Sequence, residues 1–140
     1  MRSELGDGYE LDDDPERIDV AAVHRYISDE SYWAPGRDYE TQRRLVETAS
    51  RVVGLYHEGG QIGFCRAVET FGLPAVYLAD VYVLAEHRGR GLGVALVEEM
   101  VERGPYADRA WLLHTSDAHD LYRRFGFGAP GVRLMERPAP

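Results

Sequence analysis

The chain has 140 residues, a single cysteine, and 16 Lys plus Arg against 24 Asp plus Glu, for a formal charge of −8. That length suits one compact domain, and a composition of 44% hydrophobic and 29% charged residues argues against bulk disorder. One cysteine excludes an internal disulfide and a Cys-rich zinc site. An acidic chain is a poor partner for nucleic acid, because phosphate binding needs clustered positive charge. No apolar run approaches the ~20 residues that span a bilayer, and the N-terminal residues have no apolar leader. The expectation is a cytoplasmic protein without nucleic-acid or membrane partners, folded as one domain over residues 1–140 with loose ends at about 1–6 and 137–140.

Tyr9 to Leu11 suits a short first strand. Asp14 before Pro15 is a helix-start signal, and Val20, Val23 and Ile27 at helical spacing predict a helix over 15–29. Pro35-Gly36 marks a loop, and Tyr39 to Ala49 follows as a second helix. Ser50 to Glu58 and Gln61 to Thr70 read as strands joined at Gly59-Gly60. Ala75 to Leu84 reads as the next strand, after a break at Gly72-Leu73-Pro74. Leu92, Leu96 and Met100 set a helix over 92–103, closed by Gly104-Pro105. Ala110 to His114 is a short apolar strand, Asp117 to Phe125 a short helix ending at Gly126, and Val132 to Glu136 a closing strand. The order β α α β β β α β α β defines a mixed α/β domain.

A strand, a glycine-rich loop and a helix meet in Val81 to Leu96. Gly89, Gly91 and Gly93 let backbone N–H groups approach an anion, the helix start adds free donors and a positive dipole end, and Arg88 and Arg90 add forked cationic donors. This is a pyrophosphate cradle in physical terms. It lacks the Gly-Lys-Ser/Thr of a P-loop, and Val94 stands where a dinucleotide fingerprint starting at Gly89 needs glycine. A plain tight turn entering a helix is the structural alternative.

Arg88-Gly89-Arg90-Gly91-Leu92-Gly93 resembles motif A of the GNAT superfamily of N-acetyltransferases, with Val83 at the apolar strand position five residues earlier. Downstream, Ala118, Leu121, Tyr122, Gly126 and Phe127 match the register of the second signature of that family, with Thr115 where asparagine is usual. The resemblance implies a central, mostly antiparallel mixed sheet of six or seven strands flanked by four helices. It implies acetyl-CoA as co-substrate and needs no metal. It assigns the pyrophosphate to Arg88, Gly89, Arg90, Gly91, Leu92, Gly93 and Val94. The pantetheine would lie between strands that splay apart, against main-chain groups of Val81 and Val83, with Thr115 and Tyr122 alongside. It also implies a homodimer as a common state of the family.

Acetyl transfer to an amine needs proximity, a polarised carbonyl and a proton for the departing thiolate. The resemblance assigns Tyr122 as that acid in a direct ternary-complex attack. A phenol of pKa about 10 is protonated at neutral pH. Tyr122 also shares a packing face with Ala118 and Phe125, which is compatible, because an aromatic body can be buried with its hydroxyl at a cleft. Asp80 is a carboxylate inside an otherwise apolar strand. It suits a base or an anchor for a cationic acceptor, or equally a strand residue bonded to a neighbouring side chain. The loop residues Tyr32, Trp33 and Arg37 suit a small primary amine carrying an aromatic or carboxylate group, or a cap on the core. The five histidines 24, 57, 87, 114 and 119 show no ligand spacing, and Cys65 has no base beside it to act as a nucleophile. The competing expectations are a protein or peptide amine as acceptor, a non-catalytic CoA-binding module, and a nucleotide-binding protein.

Overall fold

The computed structural model describes residues 1–70 and 74–140. The expected break at Gly72-Leu73 lies outside the described residues. The strands are β1 (Arg2–Gly6), β2 (Tyr9–Asp12), β3 (Arg51–His57), β4 (Gly60–Glu69), β5 (Ala75–Val83) and β6 (Ala110–Leu112). The helices are α1 (Val20–Glu30), α2 (Tyr39–Thr48), α3 (Leu92–Val101) and α4 (His119–Arg123). The six strands form one sheet in chain order, antiparallel throughout except for the parallel β5–β6 pair.

Alternation along the central strands splits the core into two layers. Val52 and Phe64 pack with Val23, Tyr26 and Ile27 of α1 and Val46 of α2. Their neighbours Val53 and Cys65 pack with Leu96, Val97 and Met100 of α3 and Tyr122 of α4. Each helix pair therefore covers one sheet face. Asp19 caps α1 by accepting from the Ala22 amide at 3.0 Å, and Asp38 caps α2 through Thr41 at 2.7 Å. Arg51 fixes the far end of α3, donating from Nη1 to the Glu99 carbonyl at 2.8 Å, a cation at a helix C-terminus.

Four expectations need correction. The first six residues are not loose: Arg2–Gly6 turns through Asp7-Gly8 and pairs with β2. The helix expected over 15–29 is two elements, a single 3₁₀ turn at Pro15–Arg17 and then α1. Ile18 is extended between them and turns into the core, so the helix restarts on a second cap, Asp19. The β3–β4 turn sits one residue earlier than expected, with Glu58 and Gly59 both left-handed. Residues 132–136 form no strand: Val132 and Met135 are almost fully exposed, and a turn from Gly131 to Leu134 stands there instead. β6 is only three residues long, and among the described residues its outer edge receives no ladder. Among the described residues no helix is long and apolar enough to cross a membrane.

Candidate active site

The β5–β6 ladder closes only over Ala75–Tyr77 and Ala110–Leu112. Beyond Tyr77 the two strands part, and β5 runs on to Val83 paired only with β4. The gap opens into a cleft of about 900 Å³. Every residue the sequence analysis singled out for the cofactor, the chemistry or the acceptor lines this cleft, except Arg90, which is exposed outside it.

At one end, β5 passes through a 3₁₀ turn at Ala85–His87 into the glycine loop and α3. Gly89 and Gly91 have φ of +80° and +76°, the left-handed backbone that glycine adopts without strain. No side chain caps α3, and a Cβ built on Gly89, Gly91 or Gly93 would meet nothing within 4 Å. The loop thus presents open space over a helix N-terminus, which is the geometry a pyrophosphate needs. Arg88 is turned away from it. Its Nε donates to the Val83 carbonyl and one Nη to the Tyr26 hydroxyl, both at 2.9 Å, so it braces the loop against β5 and α1.

Tyr122 lies on α4, buried against the α3 layer, with its body edge-on to Phe127. Burial pushes its phenol above the ordinary value. Thr115 accepts from the Ala118 amide at 3.1 Å, so its hydroxyl opens the α4 turn. Tyr32 crosses from the α1–α2 loop and accepts from the Ser116 amide at 3.0 Å. Burial would raise its phenol, but hydrogen bonds from Ser116 and Thr115 outweigh this and hold it below the ordinary value.

Asp80 sits at a β-bulge. Arg66 pairs with Ala79 and Phe64 with Tyr82, so Asp80 and Val81 together oppose Cys65, and Asp80 takes φ +55°. Its carboxylate is 2% exposed. Oδ1 accepts from Trp33 Nε1 at 2.9 Å, and Oδ2 accepts from Arg66 Nε and Arg37 Nη1, each at 2.8 Å. Burial alone would raise its pKa, but the Arg66 guanidinium beside it, with Trp33 and Arg37, holds it below the usual carboxylate range. Of the roles expected for Asp80, a carboxylate bonded to neighbouring side chains is the geometry found. A group with three donors on it and a depressed pKa is a poor proton acceptor.

Sequence reasoning did not single out Arg66, Tyr77 or His114, which also line the cleft. Tyr77 and His114 share a hydrogen bond across the splay, and His114 Nε2 meets Glu136 at 2.9 Å. Alternation on β4 carried a signal for Arg66, whose neighbours Cys65 and Ala67 are buried in the opposite layer. Cys65 is wholly buried, and burial pushes its thiol far up, as suits an inert core residue. Among the described residues no three His, Cys, Asp or Glu side chains gather where they could hold a metal ion.

A splayed parallel strand pair, an open glycine loop at a helix start and a buried tyrosine meet in one cleft, the arrangement that the resemblance in the sequence implies for an acyltransferase. Residues 48–128 match the family model described as the acetyltransferase (GNAT) domain. A crystal structure from Xanthomonas campestris pv. campestris, assigned to the GNAT family, is 34% identical, with a TM-score of 0.85 over 94% of each chain. A Gibberella zeae protein whose name assigns it to the acetyltransferases is 27% identical over 93% of this chain and 90% of its own length. A GNAT family acetyltransferase from Brucella melitensis, solved in complex with acetyl-CoA, shares the fold at 18% identity, with a TM-score of 0.68 over 89% of this chain and 85% of its own. The chain belongs to the GNAT acetyltransferase family, enzymes that transfer acetyl groups from acetyl-CoA.

Proposed function

We propose that this protein acetylates the primary amine of a small molecule by direct attack on acetyl-CoA in a ternary complex. The observation that carries the reading is one shared cleft, lined by the glycine loop, the stretch of β5 without a β6 partner, Tyr122, and Tyr32, Trp33 and Arg37. The thioester supplies the acyl group. The amides of the loop and of the first turn of α3 bind its pyrophosphate, with Gly89 and Gly91 keeping the approach open. Main-chain groups of Val81 and the amide of Val83, left without β6 partners by the splay, would pair with the pantetheine amides, the Val83 carbonyl being held by Arg88.

Tyr122 holds the proton that the departing thiolate takes. Burial keeps this phenol protonated at neutral pH, so the proton is in place when the thiolate departs. Asp80 acts as a positioning residue that pins Trp33, Arg37 and Arg66 around the acceptor side, and the proton of the amine leaves through water. The test is calorimetric titration with acetyl-CoA, CoA, ATP and NAD, followed by a thiol-release screen of small amines. Selective CoA-ester binding with turnover of small amines supports the reading. Turnover of peptide N-termini alone would replace the acceptor, and binding without turnover would make the chain a CoA-binding module.

A further inference from the structure

We propose that the acceptor amine also carries an oxyanion, a carboxylate or a phosphate, and that Arg66 together with Arg37 holds it. The inference rests on the transferase reading above and names the substrate class of the same cleft.

Arg66 is 11% exposed and uses only Nε, on Asp80. Its Nη1 and Nη2 make no hydrogen bond or ion pair among the described residues. Arg37 is 16% exposed and spends Nη1 on Asp80 and on Gln42 Oε1, leaving Nη2 without a partner among them. None of these unspent nitrogens is among the buried side-chain atoms without a partner, so they are open to solvent. Here both side chains line a cleft, so the unspent donors face the space where an acceptor must sit. The Asp80 bond on Nε fixes the guanidinium of Arg66 and leaves its outer edge, Nη1 with Nη2, as a preformed fork. That edge matches the two oxygens of a carboxylate or phosphate.

Charge points the same way. Two guanidiniums share one carboxylate, so the cluster keeps one positive charge in a chain of net −8. The acidic residues Glu30 and Asp117 also line the cleft, but both are exposed, and solvent screens them. The third arginine of the cleft, Arg88, is committed to Val83 and Tyr26. Trp33 is held against the same Asp80 and gives the pocket an aromatic side.

The experiment uses matched amines that differ by the oxyanion: phenylalanine with phenethylamine, lysine with cadaverine, and O-phosphoethanolamine with ethanolamine. Thiol release from acetyl-CoA is read as kcat/KM. The anionic member should be favoured at least about tenfold, the scale of a charge-assisted hydrogen bond. The pair in which the preference is larger separates carboxylate from phosphate. In Arg66→Gln the ratio should fall toward one through the KM of the anionic member, and in Arg66→Lys it should fall only partly. Acetyl-CoA titration of both variants checks that the cofactor side is intact. Equal or reversed preference in the wild type, or a ratio preserved in Arg66→Gln, overturns the proposal. A second readout needs no turnover: NMR titration of the wild type with N-acetylphenylalanine and N-acetylphenethylamine. Selective binding of the acid supports the oxyanion site, and equal binding overturns it. Loss of acetyl-CoA binding in the wild type would instead sink the transferase reading, leaving this second readout to decide the site.

Discussion

Tyr82 stacks on Tyr26 at 4.1 Å with the ring planes 8° apart, on the α1 face of the sheet. Val76 and Leu78 share its alternation along β5 yet pack on the α3 face. The bulge at Asp80 makes the difference. One extra residue on β5 exchanges the faces, sending Tyr82 to α1 and turning Val81 and Val83 toward the α3 layer. The same kink places the Asp80 carboxylate under the α1–α2 loop, where Trp33 and Arg37 reach it. Fold and site thus share one backbone irregularity.

Removing the charge at this kink should cost stability. Asp80→Ala leaves two partly buried guanidiniums unpaired, a loss of about 3–5 kcal/mol for a broken buried pair. The folded pKa of Asp80 lies below its unfolded value of about 3.9, so the contribution is complete above that pH. It disappears as pH falls through the folded value. Thermal melts from pH 3 to 7 should show the wild type losing Tm at the acid end and the variant losing less. A variant as stable as the wild type at pH 7 would contradict the network.

Tyr122→Phe keeps the packing against Phe127 and removes the proton. We expect kcat to fall by about 10²-fold, the lower range for general-acid catalysis, with acetyl-CoA affinity retained. Because burial raises this phenol, its proton should stay in place to pH ~10 or above. An alkaline limb in kcat well below that pH, present in the wild type and absent in the variant, would argue against the assignment.

The glycine loop offers a paired comparison. A Cβ at Gly91 or Gly93 meets no protein atom within 4 Å, but only Gly91 has positive φ. Gly91→Ala should therefore destabilise by about 1–2 kcal/mol through left-handed strain, and Gly93→Ala by less. Both methyl groups enter the space assigned to the pyrophosphate, so both variants should bind acetyl-CoA more weakly. Chemical denaturation read beside calorimetry separates the two effects, and full affinity in both folded variants would remove the cradle.

Cys65 should behave as core. Its thiol is wholly buried and its pKa is pushed up, so an aromatic disulfide reagent should leave it untouched in the native protein and label it once the chain is unfolded. Cys65→Ala should keep acetyl transfer and lose modest stability. Abolished transfer in a folded variant would revive a covalent route.

Much of the fold was legible because its signals are local. Leu92, Leu96 and Met100 lie on one helix face wherever the helix goes, and Gly89 and Gly91 mark left-handed backbone before a helix start. What failed depended on distant partners. Val132 to Glu136 has strand-like residues but does not pair with the free edge of β6, while Arg2–Gly6 looks like a frayed end yet finds β2. Asp80 was conspicuous as a carboxylate in an apolar strand, but its partners come from positions 33, 37 and 66. No spacing rule brings those together.

The sequence by itself determined α2, α3, the glycine loop before α3 and the place of Tyr122 on α4, since each follows from backbone preference or from spacing within one element. Only the tertiary structure decided that β5 bulges at Asp80, that β6 leaves β5 after three pairs, and that Arg66 and Arg37 share one carboxylate with donors to spare. Those outcomes depend on strand register and on contacts between residues far apart in the chain, where the cost of burying a charge is settled by whichever partner the fold brings within reach.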